Sequence, residues 1–301
     1  MPLFPFLRRR HRGIIPTFEP PSSSATPTAT VIGERRFRVD VPYLFPKDMP
    51  EYDRLTFQHY FLKTLLGGNY VAPIDSPRRI LDVGCGTGIW GREMAQPFPG
   101  AQVVGFDIEP HTPVSHVIEM PSNCLFVQGN ILQGLPFSDH DFDFTHQRLM
   151  VAALPARAWP YVVSELVRVT RPGGWIELVE AADTFEHMGP MTRKFMEWWH
   201  NLESKTGFDA SLMTRLPTLL TKAGLSQVKE SILQVPLGAW GGRGGELLAK
   251  DLHAIFTNLK PVYCTQLKLS EKEFDHTLQK LPQEWDTRHT YFHFYITYGQ
   301  K

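Results

Sequence analysis

Apolar residues recur at helical spacing between positions 53 and 66. Leu55, Phe57, Phe61, Leu62, Leu65 and Leu66 share a face, and Gly67 and Gly68 stop the run. A proline-containing linker then leads into RRILDVGCGTGIWGREMA, where a short buried strand gives way to a glycine loop and a helix. Strand-like runs follow at 101–108, 124–131 and 142–146, then a helix over 158–170 and a fifth strand entered through RPGGW. Strands that alternate with helical stretches predict an α/β fold with a doubly wound, largely parallel sheet.

Beyond residue 180 the pattern changes. Positions 191–202 form an amphipathic helix carrying Phe195, Trp198, Trp199 and Leu202, and LPTLLTKAGL is a short helix before a strand at 228–235. GGRGG reads as a flexible joint, and Ser270 with Glu273 fits a capping box that opens a helix. The closing run TYFHFYITY suits a last strand, antiparallel at the sheet's edge. Residues 35–301 thus read as one domain, with helical cap elements at 35–72 and 184–265. Residues 1–34, with Arg8, Arg9, Arg10, Arg12 and PPSSSATPTAT, read as a disordered tail or, less simply, an organelle transit peptide.

Charge narrows the partners. Thirty-one basic residues balance thirty-one acidic ones, so no net field draws nucleic acid or an anionic membrane. Cys85, Cys124 and Cys264 form neither a CxxC pair nor a zinc spacing, which suits a reducing compartment. No apolar run reaches the roughly 20 residues that span a bilayer, so a cytoplasmic protein is expected. An oligomer has no support in the sequence.

The chemistry concentrates in LDVGCGTGIWG at 81–91. Gly84, Gly86 and Gly88 let backbone approach a ligand, and the helix that follows points its positive end there. The string Gly86-x-Gly88-x-x-Gly91 is also a literal dinucleotide fingerprint. Against a dinucleotide stands Asp82, two residues before the first glycine: a carboxylate there suits the ammonium and sulfonium of S-adenosylmethionine (SAM), not a pyrophosphate. Asp107 ends the second strand of the alternating series and can accept from both ribose hydroxyls. Asn130 ends the third, where its side chain can meet the adenine amino group while Ile108 and Ile131 cover the ring.

Taken together, LDVGCGTG, Phe142-Asp143 and the 168–174 segment resemble class I SAM-dependent methyltransferases. EYDRLTFQHY, PFPGAQVVGFDIEP, PSNCLFVQGNI and FDFTHQRLM resemble the LaeA-like branch, common in fungi, over roughly residues 35–180. The resemblance implies a seven-stranded Rossmann-like sheet that uses SAM, with S-adenosylhomocysteine (SAH) as product. Asp82, Gly84, Gly86 and Gly88 would hold the methionine part, Asp107 the ribose, and Asn130 and Ile131 the adenine. The family usually has Asp where this chain has Asn130. His146, Gln147 and Arg148 would face the methyl group and substrate, with Gln147 counted among the cofactor residues.

The bland readings stand beside these. His146 is a general base or a hydrogen-bonded structural histidine. Arg148 anchors an acidic group or braces the sheet. Trp198, Trp199 and His200 line an apolar substrate pocket with Tyr52 of the upstream helix, or belong to the core. Asp53 and Arg54 either cap a helix or fold over the cofactor, and Cys85 is a small residue that fits. No metal is expected, because THQRLM carries no acids and His289 with His293 has no carboxylate cluster beside it. The function expected is methyl transfer to a small apolar or aromatic acceptor of secondary-metabolite type. The alternatives are a SAM-binding regulatory protein acting through protein partners and a dinucleotide-dependent oxidoreductase.

Overall fold

In the computed structural model the described residues are 29–32, 35–38, 43–109 and 120–301. Among them a hairpin, β1 (Ala29–Ile32) and β2 (Arg35–Arg38), precedes a seven-stranded sheet. The sheet comprises β3 (Arg79–Val83), β4 (Gln102–Asp107), β5 (Cys124–Gln128), β6 (Phe142–Arg148), β7 (Thr170–Glu186), β8 (Ser226–Pro236) and β9 (Tyr291–Gln300). Its order is β5-β4-β3-β6-β7-β9-β8. The first five strands run parallel, and β9 lies antiparallel between β7 and β8. The chain moves outward from β3 on one side and returns through β6 on the other. A crevice therefore opens past the carboxyl ends of β3 and β6, where α/β sheets bind ligands.

Helices cover both faces. α1 (Met49–Leu66) begins four residues before the predicted start, because the Asp48 side chain accepts the Glu51 N–H and Pro50 occupies the first turn. Its end at Gly67, φ +70°, is the left-handed cap that the glycine pair predicts. α2 (Ile89–Ala95) packs Trp90 and Met94 on one face of the sheet. α3 (Trp159–Val169) and α5 (Leu216–Lys222) pack Val162, Val163, Leu166, Leu216 and Leu220 on the other.

A helical layer stands beyond the strand ends. α4 (Pro190–Thr206), α6 (Gly242–Leu267) and α7 (Glu271–Arg288) pack with α1 around Phe195, Phe256, Tyr263, Phe274 and Trp285. Each such buried side chain contributes roughly 1.5–3 kcal/mol, so this layer has a core of its own and is not a loose flap. The Ser270 cap forms as expected, its hydroxyl accepting the Glu273 N–H.

Three regions add to the sequence reading or depart from it. β1 falls within residues 1–34, the expected tail, and pairs with β2; residues 1–28 lie outside the described residues. The GGRGG run is no joint: Gly244 and Gly245 lie in the first turn of α6. A Cβ on Gly245 would collide with the Gly238 carbonyl, so glycine serves close backbone contact. His289 caps α7 in a left-handed conformation and lies outside β9, the strand that carries His293.

Candidate active site

The glycine loop follows from β3. Gly84 (φ +70°), Gly86 (+52°) and Gly88 (+70°) take backbone conformations that L side chains disfavour, which turns the chain sharply into α2. Asp107, at the end of neighbouring β4, fastens the loop: its Oδ2 accepts the Gly86 N–H at 2.8 Å and its Oδ1 the Glu109 N–H at 2.9 Å. A carboxylate has about four acceptor positions, so two backbone bonds leave it capacity for two ligand hydroxyls.

The loop opens on a cavity of about 260 Å³. One end of its wall is polar and holds Asp82, Gly84, Gly86, Asp107, Ile108, Asn130, Ile131 and Arg148. The other is aromatic, with Phe185, Phe195, Trp199, Phe256, Phe292 and Phe294. Asn130 Oδ1 accepts the Leu132 N–H at 3.0 Å, leaving one acceptor site and the amide hydrogens for a ligand. Asp82 is buried, and its Oδ1 meets His146 Nδ1 at 3.0 Å. The donors and acceptors at this end fit a cofactor with an ammonium, a carboxylate, two vicinal hydroxyls and an adenine.

Arg148 supplies the positive charge there. Its Nη2 lies 3.1 Å from His59 Nδ1, and His59 Nε2 lies 3.1 Å from Glu93 Oε2. Burial and then the Arg148 charge push the His59 imidazole down to about 4, so the ring is neutral. Its Nδ1 thus accepts from the guanidinium while Nε2 donates to Glu93. Burial holds the Arg148 value below the ordinary one, and the nearby carboxylates of Asp82, Glu177 and Glu93 counter only part of it.

Beneath the loop, the expected general base is walled in. His146 is fully buried off the cavity wall, stacked on Trp90 with ring centroids 4.0 Å apart, and its Nε2 faces Glu177 Oε1 at 4.0 Å. Its geometry orients Asp82 and offers no path to a bound acceptor. Gln147 is likewise buried off the wall, because side chains alternate along β6 and its neighbour Arg148 takes the cavity side. Gly88 lies behind the loop as the residue before α2, serving backbone shape.

The expected substrate residues divide. Trp199 is on the aromatic wall, but Trp198 is core, stacked on Phe274 at 6.0 Å. One residue is about 100° of helix, which separates the two rings. His200 is exposed and reaches Asp183 Oδ2 at 2.7 Å from outside the cavity. Tyr52 is half-buried with Lys47, Glu109 and Asp107 as electrostatic neighbours, so it lies beside the polar end, not among the aromatic side chains.

Sequence reading missed several wall residues and left the role of Arg54 open. Tyr43, Phe45 and Lys47 come from the segment before α1. Arg54, half-buried, pairs with the buried Glu51 (2.7 Å) and Asp251 (3.0 Å) and ties α1 to α6 along the wall; Gln58 donates to Asp251 at 2.8 Å. The i, i+3 spacing of Glu51 and Arg54 was a visible signal; their partner, nearly two hundred residues away, had none. Among the described residues one grouping has metal-ligand character, Asp183, His200 and Glu203. His200 is committed to Asp183 and Glu203 Oε1 accepts the Ala210 N–H at 2.6 Å, so protein hydrogen bonds account for it.

Comparison with known proteins places these features in context. A family model described as a methyltransferase domain matches residues 80–174, the span from β3 through the glycine loop to the first residues of β7. The chain is 29% identical over 211 residues to the secondary metabolism regulator LAE1 of Cochliobolus heterostrophus, covering 66% of this chain and 67% of that protein. It is 30% identical over 208 residues to the methyltransferase pytC of Aspergillus terreus, covering 66% and 62%. With the N-methyltransferase gliN of Aspergillus fumigatus it shares 25% identity over 283 residues, 86% of this chain and 96% of that one. The chain thus spans less than two thirds of pytC and nearly all of gliN. In fold it is similar to a phosphoethanolamine N-methyltransferase of Haemonchus contortus, with a TM-score of 0.50 at 16% identity over 84% of this chain and 59% of that one.

Proposed function

We propose that this chain, a class I SAM-dependent methyltransferase by fold and with relatives among fungal secondary-metabolism proteins, methylates a small apolar or aromatic acceptor. The observation that carries the reading is the single cavity with a polar end at the glycine loop and an aromatic end under α4 and α6. Bound SAM supplies a methyl group on a cationic sulfonium with a good leaving group.

The protein's work is then alignment. Asp107 accepts from the ribose hydroxyls, Ile108 and Ile131 cover the adenine, and Asn130 meets its edge. Asp82, held by His146, takes the ammonium, and Arg148, held by neutral His59, takes the methionyl carboxylate. The aromatic wall excludes water and presses the acceptor toward the methyl group. Fixing two reactants in attack geometry supplies roughly 7–11 kcal/mol, and a base is needed only where the acceptor atom holds its proton tightly, as a phenol with a pKa of about 10 does. His146 acts in this reading as a positioning residue.

The relative described as a regulator supports a second reading, a SAM-binding protein that acts through protein partners. Among the described residues no helix is long and apolar enough to cross a membrane. Three free thiols fit a reducing compartment, and the cytoplasm is the location we infer. Calorimetric titration with SAH, with NAD⁺ as control, tests the cofactor. Binding of SAH alone supports the proposal. Binding of NAD⁺ alone, or of neither, overturns it, and SAH binding without methyl transfer to any small aromatic compound favours the regulatory reading.

A further inference from the structure

Four carboxylates lie on the cavity wall, and three already have a place, Asp107 and Asp82 at the cofactor end and Asp251 in an ion pair. Asp107 holds the glycine loop, Asp82 holds His146, and Asp251 is matched by Arg54 and Gln58. The fourth, Asp183, lies near the end of β7 and lines the same cavity as the aromatic side chains and as Met196 and Trp199 of α4. Its Oδ2 is taken by His200 at 2.7 Å, while Oδ1 has no protein partner among the described residues. Its side chain is 15% exposed, against 58% for His200. The carboxylate thus sits between an apolar chamber and an imidazole that opens to solvent.

A carboxylate facing an apolar chamber is unfavourable unless its acceptor positions are filled. His200 fills one side. A ligand in the chamber that presents a hydrogen-bond donor there can satisfy the other. We propose that Asp183 is the acceptor-recognition residue of this cavity: it takes a hydrogen bond from an N–H or O–H group on an aromatic acceptor, and His200 positions it from outside. The inference rests on the methyltransferase reading and deepens it by naming a chemical class of acceptor. A purely hydrocarbon or fully alkylated aromatic leaves Asp183 Oδ1 unpaired and is rejected, because a site built to bond a donor discriminates strongly against analogues that lack it.

The test uses the full chain loaded with SAH. Fluorescence titration follows two matched probe pairs, 2-naphthol with 2-methoxynaphthalene and indole with 1-methylindole. The donor-bearing member of each pair should bind at least about tenfold more tightly, the scale of a hydrogen bond to a charged group. Asp183→Ala should erase that preference while SAH affinity, measured separately, stays at the wild-type value. His200→Ala should weaken the preference, and His200→Gln, which can still donate to Oδ2, should restore it; a merely structural role for His200 would not separate these two. Equal binding within both pairs, a preference that survives Asp183→Ala, or no binding of any probe to the SAH-loaded protein overturns the inference. Failure of the wild-type chain to bind SAH overturns the methyltransferase reading instead, so the two failures are distinct.

Discussion

Asp107→Ala separates what the glycine loop needs for its shape from what the cofactor needs for binding. In the free protein the substitution removes the acceptor for the Gly86 and Glu109 N–H groups, at 2.8 and 2.9 Å. Each donor left without a partner costs about 1–3 kcal/mol. Both residues are only partly buried, so water recovers some of it and the low end applies, about 2 kcal/mol in total. That corresponds to a fall in melting temperature on the order of 5 °C. In the complex the variant also forfeits two ribose hydroxyls. At about 1.5 kcal/mol for each bond to a charged acceptor, the SAH dissociation constant should rise about 100-fold. Calorimetry below the variant's melting temperature reads the second effect free of the first. A folded Asp107→Ala protein that binds SAH within about threefold of wild type would refute the placement of the ribose.

The other predictions follow from the same geometry. Gly84→Ala forces a Cβ into a positive-φ position against the Met150 thioether, so it should destabilise by roughly 1–2 kcal/mol and weaken SAH binding, read by melting with and without SAH. Arg54→Met strands Glu51 and Asp251, both buried, and should cost about 3–5 kcal/mol in urea unfolding; a loss below about 1 kcal/mol would mean that water reaches the network. Burial pushes the Glu180 carboxyl up to about 8, above its ordinary 4.5, despite the Met150 and Val151 N–H groups it accepts. The folded state therefore holds a proton that the unfolded state releases: the associated stability is full below pH 4.5 and is lost as pH rises through 8. Comparing urea midpoints at pH 6.5 and 9, Glu180→Gln should lose less stability than wild type, and equal slopes would show that Glu180 is ionised throughout.

The sequence by itself determined the alternating core of the fold and the polar half of the cavity. Each strand from β3 to β7 is a local apolar run, and Asp82, Gly84, Asp107 and Asn130 sit at or just past strand ends whose positions local pattern fixes. Side chains at the carboxyl ends of adjacent parallel strands converge wherever such a sheet forms, so their meeting was legible without coordinates. The aromatic half was decided by tertiary structure alone. Whether Trp198 or Trp199 faces the cavity depends on the rotation of α4 against α6 and α7, a difference of one residue that composition cannot register. The same holds for Asp251, which reaches Arg54 only because α6 crosses α1, and for His146, whose strand-end position is shared with exposed residues until Trp90 covers it. Asp183 had no sequence signal, since its chemistry comes from the aromatic residues that distant helices and β9 bring around it.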